Sequence, residues 1–99
     1  MFEANKPRYV TKAISDELSA DHLFFIVQYL YKQQKQLTDY LQVFEFYIED
    51  GDQWLIQRQE VPDRETTIHV DLSEEEPMNR TVWAMDQQDY VMILFPEDY

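Results

Sequence analysis

Two hydrophobic periods divide this chain. From Leu23 the apolar residues recur at Ile26, Val27 and Leu30, the spacing of one helix face, whereas beyond Leu37 apolar and polar residues alternate with a period of two. One helix followed by a run of strands reads as α+β, with the helix packed on a sheet whose neighbours in sequence pair antiparallel. Ser19 can cap the helix and Asp21 suits its positive end, so the helix is predicted from Ala20 to Gln36, its last turns polar (Lys32 to Gln36, KQQKQ). Phe24, Phe25, Tyr29 and Tyr31 widen the apolar surface beyond one stripe, which predicts a helix start buried on more than one side.

Before the helix, Arg8 to Ile14 reads as a short strand after a loose N-terminal arm, its pairing direction open. After it, Tyr40 to Glu49 and Trp54 to Val61 flank Asp50-Gly51-Asp52, which holds the only glycine. A three-residue loop sets Phe44 opposite Arg58, Phe46 opposite Ile56 and Ile48 opposite Trp54, uniting one apolar face. A two-residue turn would set Tyr47 opposite Trp54 and Glu45 opposite Ile56, mixing faces, so the longer loop is expected. Thr66 to Leu72 alternates, with Thr66, Ile68, Val70 and Leu72 inward and Thr67, His69 and Asp71 outward. Ser73 to Arg80 is a charged loop. Thr81 to Met85 and Tyr90 to Phe95 form a last hairpin that Pro96 closes. The expected fold is one helix on a curved, largely antiparallel sheet of about five to six strands, in the order β-α-β-β-β-β-β, within one domain spanning residues 1–99.

The chain has no cysteine, so it has no disulfide framework or thiolate metal site, and the expected setting is the cytoplasm. Met1 to Arg8 lacks the apolar run of a signal peptide, and the longest apolar stretches, Leu23 to Val27 and Tyr90 to Phe95, fall far short of the ~20 residues of a membrane span. Net charge is −12 and unevenly placed: residues 1–40 balance five acids with five bases, while residues 41–99 set fifteen acids against Arg58, Arg64 and Arg80. Dense negative charge repels nucleic acid and anionic membrane and attracts a basic protein surface, although acidity also serves plain solubility.

Chemistry is sparse. A single glycine leaves no phosphate-cradling loop, and Ser15, Ser19 and Ser73 with His22 and His69 suggest no nucleophile and base pair. His69 and Asp71 share a strand face near Glu74, Glu75 and Glu76, the nearest approach to a metal-ligand set, but Thr, His and Asp also make an ordinary wet strand face. Asp50-Gly51-Asp52 lacks the distal Glu of a calcium loop. No catalytic, cofactor or metal residue is assigned.

Arg8-Tyr9-Val10-Thr11, Leu41-Gln42-Val43-Phe44, Gln59-Glu60-Val61-Pro62 and the closing Glu97-Asp98-Tyr99 occur in this order across nearly the whole chain. Together they resemble an uncharacterised family of small acidic proteins from Gram-positive bacteria and their mobile elements, catalogued as domain of unknown function 960. The resemblance implies a bacterial, cytoplasmic setting, in some members beside mobile-element genes, and brings no catalytic or binding residues.

The expected function is a small acidic interaction module that docks on a basic protein partner; its strongest form mimics DNA phosphate and so blocks a nucleic-acid enzyme. The expected contributors are Glu45, Glu49, Glu60, Asp71, Glu74, Glu75 and Glu76. Two other classes stay open: a small carboxylate- or metal-dependent enzyme using His69, and a self-associating structural domain with aromatics on a dimer face.

Overall fold

The computed structural model describes residues 1–99. In chain order it contains β1 (Arg8–Val10), α1 (Lys12–Glu17), α2 (Ala20–Lys32), β2 (Leu41–Glu49), β3 (Asp52–Gln59), β4 (Arg64–Val70), β5 (Arg80–Asp86), β6 (Val91–Leu94) and a closing 3-10 turn (Pro96–Asp98). The strands form one mixed sheet in the order β1-β6-β5-β2-β3-β4, in which only β1 and β6 run parallel. The α+β expectation holds, with two helices in place of one.

The extra helix comes from Thr11. Its hydroxyl accepts the Ile14 amide (3.3 Å) and so caps α1, which ends β1 at Val10 rather than at Ile14. This short helix turns Ile14 and Leu18 into the core. Ser19 caps α2 as expected, accepting the His22 amide, but α2 stops at Lys32, before the polar run KQQKQ is complete. His22, Ile26 and Leu30 are its buried face. Phe24 and Tyr31 correct the expectation of burial on several sides: they are 65% and 57% exposed, because α2 touches the sheet along one flank only.

The N-terminal arm is not loose. Phe2 is fully buried and its amide donates to the buried carboxylate of Asp86 (2.7 Å), which also receives the Lys6 ammonium (2.8 Å) and the Gln88 amide (2.8 Å). A buried carboxylate needs several donors, and the arm supplies two of them.

The hairpin register is the main correction. Tyr47 pairs with Trp54, Glu45 with Ile56 and Phe44 with Gln57, so the loop is the two-residue Asp50-Gly51. Both residues have positive φ (51° and 79°), the requirement of the tight hairpin turn that Asp-Gly favours. The inner face of β3 is therefore Gln53, Leu55, Gln57 and Gln59, all buried. Buried glutamines are tolerated because they bond one another. Gln57 Nε2 donates to Gln42 Oε1 (2.8 Å), Gln42 Nε2 to Gln59 Oε1 (2.8 Å), and the Tyr29 hydroxyl to Gln57 Oε1 (3.2 Å). Gln53 donates to the carbonyls of Tyr47, Trp54 and Met78 and accepts from the Met78 amide (2.8 Å). That orientation makes His22 Nε2 a donor to Gln53 Oε1 (2.9 Å), while Nδ1 accepts from the Ser19 hydroxyl (2.5 Å).

Core residues from α1, α2 and the arm meet Phe44, Phe46, Leu55, Val82, Val91 and Ile93 on one sheet face. The other face carries no helix.

Candidate partner-binding side

Strand alternation places Val43, Glu45, Tyr47 and Glu49 of β2 on the bare face, beside Asp52, Trp54, Ile56 and Arg58 of β3. The face changes character along the sheet. At β5 and β6 it is apolar and largely covered: Trp83 pairs with Leu94 and Met85 with Met92, Met85 and Leu94 are buried, and Tyr99 packs edge-on to Trp83. At β3 and β4 it is charged: Arg58 binds Glu45 (2.8 Å) and lies 3.7 Å from Glu65, while His69 packs edge-on to Trp54 with Asp52 (3.8 Å) and Asp71 (3.4 Å) beside it.

The seven acids expected to act together divide. Glu45 and Glu49 lie on the bare face, and Asp71, its side chain 98% exposed, continues that side just past β4. Glu60 is exposed beyond the far end of β3, about 27 Å along the strand from the hairpin turn. Glu74, Glu75 and Glu76 are exposed in the loop after β4, whose start is pinned to α2 and whose Met78 end is held by Gln53 of β3; Glu75 lines a recess with Asp52, His69 and Asp71. Asp21 accepts the amides of Ser73 (3.0 Å), Glu74 (3.1 Å) and Glu75 (3.3 Å) and the Ser73 hydroxyl. The Glu74 amide, then the Ser73 hydroxyl, outweigh the opposing effect of burial and hold the Asp21 carboxyl below its usual range. The loop's amides are thus occupied by Asp21, leaving its glutamate side chains outward.

Three features of this side were not read from the sequence. Glu65 precedes the strand expected from Thr66, yet it lies within β4 as the outward residue opposite Arg58. Asp52 begins β3 instead of ending a loop. The third is an open cleft of ≈ 680 Å³ between α2 and β4, lined by Asp21, Phe24, Phe25, Gln28, His69 and Asp71 among others. Around His69 no three His, Asp or Glu side chains are grouped to hold a metal ion. No helix is long and apolar enough to cross a membrane.

The family described as Staphylococcal protein of unknown function (DUF960) matches residues 7–98. The chain belongs to this family. Among solved structures, this DUF960 protein is similar to one described as the protein of unknown function from Enterococcus faecalis. The TM-score is 0.86 at 19% identity, over 99% of this chain and 94% of that one. At that identity the likeness speaks for the fold alone. No curated protein matches the DUF960 chain.

Proposed function

We infer that the protein is an interaction module that binds a basic protein partner on the side of the sheet that ends at β4. One observation carries the reading: on the β2–β3–β4 part of the helix-free face, half-exposed Tyr47, Trp54 and Ile56 stand among Glu45, Asp52, Glu65 and Asp71, which outnumber the single Arg58. An apolar patch beside carboxylates suits a partner with apolar contacts and lysines or arginines. The finer reading is a DNA mimic, in which these carboxylates compete for cations that otherwise hold phosphate. It includes a cytoplasmic setting, argued from the lack of cysteine, and mobile-element company would suit a blocker of nucleic-acid enzymes. Self-association through the same face is opposed by the −12 that each copy would bring.

The test is capture from a Gram-positive lysate on the immobilised chain, eluted with a salt gradient and identified by mass spectrometry. A basic protein retained at low salt and released as salt rises is expected. Capture that is empty, or that is indifferent to salt, overturns the reading.

A further inference from the structure

Every sheet that does not close has two edges, and this one treats them differently. The β1 edge is three residues long and backed by the N-terminal arm. The β4 edge is seven residues long, contains no proline and no bulge, and pairs with β3 in unbroken register from Gln53↔Val70 to Gln59↔Arg64. A long, regular, unpaired edge is a template for another strand unless something blunts it.

The phase of the ladder identifies the free groups. The Asp86 amide donates to the Tyr40 carbonyl (2.8 Å), so even-numbered residues of β2 bond toward β5 and odd-numbered ones toward β3. Carried through the pairs Val43↔Arg58 and Gln57↔Thr66, the alternation turns the backbone of Arg64, Thr66, Ile68 and Val70 toward β3. The N–H and C=O groups of Glu65, Thr67 and His69 therefore face outward. No loop or side chain bonds them.

Beside this edge lies the α2 cleft. An added strand would rest about 4.8 Å beyond β4, with alternate side chains on opposite sides. Those on the helix side would meet Phe24, Phe25 and Gln28, where an exposed phenyl ring awaits apolar cover. Those on the bare side would meet His69 and the carboxylates of Glu65 and Asp71, which call for lysine or arginine. We propose that the β4 edge and the α2 cleft form a peptide-binding groove that adds an extended segment of alternating apolar and basic residues as a seventh strand. This rests on the basic-partner reading and names the mode of binding. A second copy of the chain does not fit, since it would bring its own acidic edge and a further −12.

The probe is a capped eight-residue peptide alternating Val and Lys, compared with a block peptide of the same composition, Val before Lys. Binding is followed by titration and by backbone amide exchange. The alternating peptide is expected to bind about tenfold more tightly and to slow exchange at Glu65, Thr67 and His69. Thr67→Pro removes a donor that β3 does not use, and should weaken the alternating peptide about tenfold while leaving the block peptide unchanged. If that variant does not fold, the wild-type chain with a peptide N-methylated at alternate residues reads the same bonds, since one of the two methylation phases must lose binding. Equal binding of both peptides without protection of the three amides overturns the groove and leaves the basic-partner reading intact. Binding of neither overturns the groove alone, because lysate capture judges the partner separately.

Discussion

Gln57 sits beneath α2 with its side-chain amide shared between Gln42 and Tyr29. Replacing it by leucine keeps its bulk but strands the Gln42 carbonyl and the Tyr29 hydroxyl, so Gln57→Leu should cost about 1–3 kcal/mol in urea unfolding despite making the core more apolar. A gain in stability would contradict the network. Asp86 offers a test by pH. Burial alone would raise its carboxyl, but the Lys6 ammonium and the Phe2 and Gln88 amides outweigh burial and hold it below the ordinary range. A carboxyl lowered by folding stabilises above its unfolded value, about 3.9, and that contribution is lost as pH falls through the folded value. Lys6 is raised, first by its bond to Asp86 and against burial, so its contribution is complete below about 10.4 and lost as pH rises through its folded value. The stability gap between wild type and Asp86→Asn should therefore be widest near neutrality and narrow at both extremes; a flat gap would contradict the arm's anchoring. Neither site was legible in the sequence. Glutamine and aspartate read as surface residues until a structure shows what they bond, whereas Ser19 was legible because its cap is local.

At the scale of elements, the β2–β3 turn decides which side chains reach the core. Gly51 has φ of +79° and a Cβ there would touch nothing, so Gly51→Ala should cost about 1 kcal/mol through backbone strain alone, read from the thermal or urea midpoint. An unchanged midpoint would contradict the turn. Amide exchange in the free chain should alternate along β4, slow at Thr66, Ile68 and Val70 and fast at Glu65, Thr67 and His69; uniform protection would mean the edge is covered. The strands themselves were legible from their period of two. The register was not, because maximising apolar pairing preferred a longer loop, whereas Asp-Gly turn geometry and the mutual bonding of the glutamines favour the shorter one. The loss of Ile14 from the first strand has a similar cause: its β-branched look was overridden by one cap at Thr11.

Over the whole molecule, charge was fully legible and its arrangement only partly so. The expected acids divide among the bare face, the far end of β3 and the loop pinned by Asp21, since strand parity locates Glu45 and Glu49 but no periodicity locates a loop. With −12 on so small a chain, self-repulsion should yield to screening, so moderate salt is expected to raise the melting temperature; a fall would mean that pairs such as Arg80 with Glu17 (2.7 Å) outweigh the repulsion. The central claim is that the β4 side of the bare face holds a basic partner. Its most direct test is parallel lysate capture by the wild type, by Glu45→Gln/Glu65→Gln/Asp71→Asn, and by Asp16→Asn/Asp63→Asn/Asp89→Asn, three exposed acids outside β2, β3 and β4, as a charge-matched control. The account expects the salt-released basic protein to be retained by the wild type and the control and lost from the variant at Glu45, Glu65 and Asp71. Equal retention by all three would contradict it.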